Sequence, residues 1–171
     1  MFDASAKIHA LLEDELSLVK DSRVVQQIRS HLVTPVAIQR AWDYGEPDEV
    51  YPCWSVLEHP KSNTGIAYCE FGFGPRAPWG LVTLAGETDM SIGMDSGWFE
   101  TFLRAFFDST AATEIPVWRV FRQSDEHYPG VPITEESGWS STWETVHRLR
   151  TADPTVRYQC EQNIYVWRAE T

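Results

Sequence analysis

The sequence lacks several features by which common classes of protein are recognised. It has only three cysteines in 171 residues, and an odd number of widely spaced thiols argues against a disulfide framework or a structural zinc site. No apolar run approaches the length of about 18 residues that a membrane-spanning helix requires. The N-terminus also lacks the basic and apolar regions of a signal peptide. These absences predict a cytoplasmic protein with reduced thiols and no membrane partner.

Positive charge is also scarce in this chain. Asp and Glu number 25 against 14 Lys and Arg, which gives a formal net charge of −11 at pH 7. Because such a surface repels phosphate backbones and no basic run is present, we predict no nucleic-acid partner. The same charge would speed association with a basic partner protein, although acidity in many proteins serves solubility alone.

Motifs for catalysis and cofactor binding are missing as well. The segment "GFGPRAPWG" contains GxG but neither GxxxxGK[ST] nor GxGxxG, the patterns of phosphate-binding loops. The five histidines are scattered without an HExxH or HxH pair, and His9 and His31 are interpreted as ordinary residues of helix surfaces. His59 falls at the far end of a predicted hairpin from Cys53, too distant to activate its thiol. We therefore predict no catalytic residue, no metal site and no cofactor.

The hydrophobic patterns that are present predict an α+β fold in one globular domain, residues 1–171. An N-terminal αα-hairpin over 1–34 precedes a mostly antiparallel sheet of about five to seven strands, packed by two further helices. The tight turns between the early strands favour an antiparallel meander. The predicted helices cover 3–20, 22–33, 96–109 and 139–150, and the predicted strands cover 36–42, 51–59, 65–71, 79–85, 115–122 and the β structure within 155–169, a hairpin or one bent strand.

A stiff aromatic loop at 72–80 is the best candidate for a binding surface. Its glycines permit backbone angles closed to other residues, and its prolines reduce the entropy lost when the loop binds a ligand. Its aromatic and arginine side chains are of the types that dominate binding hot spots. The acidic loop before the second strand adds carboxylates. The candidate binding residues are Phe73, Arg76, Trp79, Asp48 and Glu49.

A structural interpretation of the same loop stays open. In that case Phe73 and Trp79 fold back into the core, and Arg76 pairs with a carboxylate of the 43–49 loop. Exposure of Arg76 would favour the binding interpretation, since a surface arginine contributes little to stability.

The run "GIAYCEFGFGPRAPWGLV", followed by "MDSGWFETFLRAFFDS", resembles stretches of small, acidic, uncharacterised bacterial proteins. Some of those proteins are similar to immunity proteins, which are encoded beside secreted toxins. The resemblance covers residues 51–109 and depends on the spacing of aromatic residues and glycines. It implies a small cytoplasmic binding protein and assigns no functional residue.

Three hypotheses for function follow from these observations. The first is a non-enzymatic protein-binding domain, an immunity-type inhibitor that neutralises a toxin through acidic and aromatic contacts. The second is a small-molecule binder or weak hydrolase with an aromatic-lined pocket between the sheet and helix 96–109, near a titratable group such as His59 or Glu70. The third is a structural or oligomerisation module, which would expose a large apolar patch.

Overall fold

The computed structural model describes residues 4–41, 46–70, 76–84, 97–123 and 130–162. Four α-helices and seven strands lie within these ranges, which confirms the predicted α+β class. None of the described helices has the length and apolar character needed to span a lipid bilayer. The helices are α1 (Ala4–Ser17), α2 (Ser22–His31), α3 (Phe102–Asp108) and α4 (Trp139–Ala152), with short 3₁₀ helices at Pro60–Ser62 and Thr110–Glu114. The strands are β1 (Leu32–Ala41), β2 (Val50–His59), β3 (Thr64–Tyr68), β4 (Trp79–Thr83), β5 (Trp98–Phe99), β6 (Trp118–Arg122) and β7 (Tyr158–Gln162).

The N-terminal helices form the predicted αα-hairpin, with their apolar stripes turned toward the core. Ile8, Leu12 and Leu16 follow one another at intervals of four residues along α1, and all three are buried. The N-cap of α2 is Asp21, whose carboxylate accepts a hydrogen bond from the backbone N–H of Arg23 at 2.8 Å. The same carboxylate pairs with the Arg23 side chain within the first turn of the helix.

The strands form two sheets rather than one. Strands β1 to β5 pair in chain order and are all antiparallel, as the short turns predicted, while β6 and β7 form a separate two-stranded antiparallel sheet. Strand β1 follows α2 without a loop and includes Pro35, where an end of the helix was expected. A register shift between Leu32 and Val36 accommodates this proline. The turn predicted near Gln162 lies at the edge of the described residues and is not described.

The five-stranded sheet separates two hydrophobic clusters. The larger cluster contains the buried faces of α1, α2 and α3 packed against Val56, Ile66 and Trp79 of the sheet. The smaller cluster lies on the other face and consists of Cys53, Ala67, Cys69 and Val82, with Tyr51 and Trp98 packed against it. The alternation of side chains along each strand sorts neighbouring residues into these two clusters.

The predicted helix over 96–109 is shorter in the structure. Trp98 and Phe99 form β5, which pairs with β4, and α3 begins only after Thr101, whose hydroxyl caps the backbone N–H of Arg104 at 3.3 Å. A second cap comes from α1, because the Glu15 carboxylate accepts hydrogen bonds from the first two N–H groups of α3, each at 2.9 Å. The helical spacing of the aromatic residues was thus a misleading signal over the first part of this segment.

Candidate functional site

The aromatic loop predicted from the sequence is only partly described. Arg76 is exposed, and Phe73 lies outside the described residues. Trp79 is only 2% exposed and contacts Tyr68 and Phe102 edge to face, with ring centroids 4.9 and 5.4 Å away. This corrects the expectation of Trp79 as a surface contact. Its indole belongs to the larger core cluster, since antiparallel pairing places Trp79 beside Tyr68 on the helix-covered face.

The two acidic candidates lie on the approach to β2. Asp48 is exposed, while Glu49 is half-buried and accepts hydrogen bonds from the Tyr51 hydroxyl and from the backbone N–H of Glu46. The bond to Glu49 raises the pKa of the Tyr51 hydroxyl above its usual value. Within the described ranges, no hydrogen bond or ion pair joins Arg76 to Asp48 or Glu49. The predicted binding residues therefore do not form one contiguous described site.

The interface between the sheet and α3, where a ligand pocket was hypothesised, is occupied by core side chains wherever it is described. Phe102 and Phe106 are fully buried, and their rings stack with centroids 6.3 Å apart. Trp79 closes the same region from the sheet side. Neither proposed titratable group lies at this position, because Glu70 is exposed and pairs with Lys7, and His59 contacts another part of the chain.

Two thiols and a guanidinium are buried together on the opposite face of the sheet. Cys53 and Cys69 are both fully buried and free of disulfide bonds. A hydrogen bond between the two thiols, together with burial, raises the pKa of Cys53 far above its usual value. Arg40 is 1% exposed and donates to the Thr83 carbonyl oxygen at 3.3 Å, and its own burial lowers its pKa. Protonated thiols are poor nucleophiles and poor metal ligands, so this pair is chemically quiet.

Three tryptophans form a row across β6 and α4, and we call Trp118, Trp139 and Trp143 the tryptophan row. The Trp118 and Trp139 rings lie 4.5 Å apart between centroids, and Trp139 stacks on Trp143 at 5.6 Å. The row ends at the surface, where Trp143 is 44% exposed and contacts the His147 ring. The buried residues of α4 are Thr142 and Val146.

The N-terminal end of α2 is held by four charged residues that we call the arginine network: Asp21, Arg23, Arg119 and Glu136. Arg23 donates to both Asp21 carboxylate oxygens, to the Glu136 carboxylate and to the Pro116 carbonyl oxygen. Arg119 also lies 3.4 Å from Glu136. The hydrogen bonds to Asp21 and Glu136 raise the pKa of Arg23, and those from Arg23 lower the pKa of Asp21. The network links α2 to the segment before α4.

The C-terminal end of α2 contributes to a second polar group, the histidine cluster, which consists of His31, His59 and Glu114. One potential ligand atom from each residue lies within 4.8 Å of the other two. His31 ends α2, His59 ends β2, and Glu114 ends the 3₁₀ helix Thr110–Glu114. The rings of the two histidines lie 5.1 Å apart between centroids. Three distant parts of the sequence therefore meet at one point.

Each side chain of the histidine cluster is held by neighbouring groups. His31 Nδ1 lies 3.0 Å from the Gln27 carbonyl oxygen, and His59 Nδ1 lies 2.7 Å from the Ser62 hydroxyl. His59 Nε2 is 3.3 Å from Glu114 Oε1, but the two are not aligned as a hydrogen bond, so this buried nitrogen has no hydrogen-bond partner among the described residues. Burial would raise the pKa of Glu114, but Lys61 and His59 outweigh it and hold the pKa below its usual value.

Sequence motifs could not reveal this cluster, because the motifs for metal sites consist of histidines close together along the chain. A signal was nevertheless present. His31 immediately precedes β1 and His59 ends β2, and an antiparallel pair of adjacent strands brings the start of one to the end of the other. Glu114 carries no comparable signal, since its position depends on packing of the 3₁₀ helix against α2.

Comparison of the chain with family models, curated proteins and solved structures finds no match.

Proposed function

We propose that this protein is a non-enzymatic, cytoplasmic protein-binding domain, of the immunity type that inhibits a toxin by occupying its surface. The observation that carries the proposal is the tryptophan row, which presents Trp143 at the surface with 44% of its area exposed. Tryptophan is among the residue types most enriched in binding hot spots. The stacked Trp139 holds the exposed ring in place, so little side-chain entropy is lost on binding.

The net charge of −11 favours a basic partner protein over nucleic acid. Glu46 and Asp48 are exposed carboxylates that contribute to this charge, and Arg76 is an exposed cation of the hot-spot type. Long-range attraction would raise the association rate, while the aromatic contact would slow dissociation. Binding to such a partner should therefore weaken as the salt concentration rises.

The first test is co-expression and co-purification with the protein encoded by the adjacent gene. In a complex obtained this way, Trp143→Ala should weaken binding by about 2 kcal/mol or more, because it removes a large exposed aromatic contact. The matched control is Leu18→Ala, since Leu18 is a comparably exposed apolar residue, at 57%, beyond the end of α1. If the partner binds both variants equally well, the interface does not include the tryptophan row.

Arg76 provides a separate test of the loop predicted from the sequence. Arg76→Ala should change the free energy of unfolding by less than about 1 kcal/mol, because an exposed arginine loses only weak surface interactions. If the loop contacts the partner, the same variant should lose about 2 kcal/mol of binding energy. A large fall in the melting temperature would instead make Arg76 a structural residue, and failure to bind any neighbouring product would remove the immunity-type proposal.

A further inference from the structure

The histidine cluster has a feature that protein stability does not explain. His59 is 4% exposed, and its buried Nε2 has no hydrogen-bond partner in the part of the chain that the structure describes. An unsatisfied buried polar atom lowers the stability of the folded protein. The atom lies 3.3 Å from Glu114 Oε1, and the rings of His59 and His31 lie 5.1 Å apart between centroids. A ligand that accepts the lone pair of this nitrogen would remove the cost.

The surrounding hydrogen bonds leave a lone pair available on each imidazole. A carbonyl oxygen only accepts, so a hydrogen bond to Gln27 places the proton of His31 on Nδ1 and leaves the lone pair on Nε2. The Ser30 hydroxyl, which donates to the Gln27 carbonyl oxygen at 2.8 Å, lies 3.0 Å from the same Nδ1 and can accept from it. His59 reaches the same state when its Nδ1–H donates to the Ser62 hydroxyl, which in turn lies 3.3 Å from the His59 carbonyl oxygen and 2.6 Å from the Thr64 hydroxyl. Hydrogen bonds of this kind orient histidine ligands in metal sites.

We propose that His31 Nε2, His59 Nε2 and a carboxylate oxygen of Glu114 form a binding site for Zn²⁺, with a fourth position open to water. Two imidazoles and one carboxylate are a common zinc ligand set, and imidazole favours zinc-like cations over Mg²⁺ or Ca²⁺. Tetrahedral ligands at 2.0–2.1 Å from zinc lie about 3.4 Å from one another. The 3.3 Å between His59 and Glu114 already matches that spacing, and the whole group falls within 4.8 Å.

Lys61 is the competing charge at this site, because its Nζ lies 3.1 Å from Glu114 Oε1. Its side chain is 79% exposed, so the amine can move into solvent when a cation takes its place. The bound ion would link α2, β2 and the 3₁₀ helix Thr110–Glu114. Because the unfolded chain does not hold these ligands together, Zn²⁺ would raise the stability of the folded protein by mass action. This inference is independent of the protein-binding proposal.

The test is calorimetric titration of ZnCl₂ into the full-length, tag-free protein after treatment with a chelator, together with thermal melts. We expect one ion per chain, a dissociation constant in the micromolar range or tighter, and a melting temperature that rises with zinc concentration. MgCl₂ should produce neither effect. Absence of zinc binding at a large molar excess would overturn the proposal.

Variants identify the ligands. Removing an outer-shell partner of a metal ligand costs about 10–100-fold in affinity, so His59→Ala or His31→Ala should weaken zinc binding by at least about 100-fold. Glu114→Gln is the variant that should disturb folding least, since Glu114 lies at the surface. It should also weaken zinc binding strongly. His9→Ala and His147→Ala remove exposed histidines outside the cluster and should leave affinity unchanged.

Cobalt substitution separates this site from the cysteines. Co²⁺ bound by nitrogen and oxygen ligands should show d–d absorption of a tetrahedral or five-coordinate site without a thiolate charge-transfer band. A thiolate band would assign the ion to cysteine and overturn the proposal, and so would undiminished zinc binding by Glu114→Gln and His31→Ala.

Discussion

The two ends of helix α2 are both tied to distant parts of the chain, but by different chemistry. At the N-terminal end, every guanidinium nitrogen of Arg23 finds an acceptor, in Asp21, Glu136 or the Pro116 carbonyl. At the C-terminal end, His31 meets His59 and Glu114, and the buried Nε2 of His59 has no hydrogen-bond partner within the described ranges. In the arginine network, Arg119 Nε is also buried with no hydrogen-bond partner among the described residues, but a guanidinium is always protonated and cannot bind a metal ion. The neutral imidazole of His59 carries a lone pair that can bind one. The contrast separates a structural network from a candidate site.

The largest effect should come from breaking the arginine network at its centre. Arg23→Ala leaves the carboxylates of Asp21 and Glu136 without their shared partner, and Asp21 is only 8% exposed. We expect the free energy of unfolding to fall by about 2 kcal/mol or more. The loss should be smaller than for a fully buried ion pair, because 34% of the Arg23 side chain is exposed. Urea unfolding monitored by tryptophan fluorescence measures this loss.

Arg29→Ala is the matched control for that variant. Arg29 belongs to the same helix and forms an ion pair with Glu13 at 2.8 Å, but the arginine side chain is 51% exposed. Its removal should therefore cost less than about 1 kcal/mol. Equal losses for the two variants would show that the arginine network is no more than a surface ion pair, and the contrast between the two ends of α2 would fail.

A smaller effect, with a defined pH dependence, is expected at Asp21. Hydrogen bonds from Arg23 lower its pKa below the ordinary value of 3.8, so its stabilisation is present above that value and is lost as the pH falls through the lower folded pKa. Asp21→Asn keeps an acceptor at the N-cap but removes the charge, and should cost about 1 kcal/mol at pH 7. The difference between the two proteins should shrink toward pH 2. A difference that stays constant with pH would mean that the carboxylate charge is not the source of the stabilisation.

The smallest effect should be the reaction of the cysteines with a thiol reagent. These buried thiols provide a further comparison with the histidine cluster. Cys53 and Cys69 are fully buried, and the hydrogen bond with Cys69 together with burial raises the pKa of Cys53. Burial together with Glu161 raises the pKa of the half-buried Cys160. We expect slow reaction of all three with a thiol reagent at neutral pH in the folded state, with Cys160 the first to react. Urea-unfolded protein provides the fully reactive reference. Fast modification of Cys53 or Cys69 without unfolding would contradict this expectation. The modified cysteine would then be a candidate nucleophile or metal ligand.

Local patterns were sufficient for most of the secondary structure. The spacing of Ile8, Leu12 and Leu16 predicted α1, and the alternating strands around the turn at 60–63 predicted the β2–β3 hairpin. These elements depend on residues near one another in the chain, so the sequence carries the information directly.

The sequence-based predictions were wrong where the secondary structure or the burial of a residue depends on a partner that is distant in the chain. Trp98 lies in a strand because Gly80 leaves room for its ring, and a methyl group on Gly80 would come within 2.7 Å of that ring. Helical spacing alone could not reveal this contact. Trp79 was expected at the surface for the same reason, since its burial depends on α3 covering that face of the sheet.

The amino-acid sequence by itself determined the α+β class, the helical hairpin, the meander and the net charge of −11, because composition and short-range periodicity specify them. Only the tertiary structure decided which polar groups meet. His31, His59 and Glu114 come together because the end of α2, the end of β2 and the 3₁₀ helix Thr110–Glu114 converge at one end of the β1–β2 strand pair. That convergence depends on strand register and helix packing, which are properties of the whole folded chain and of no short segment within it.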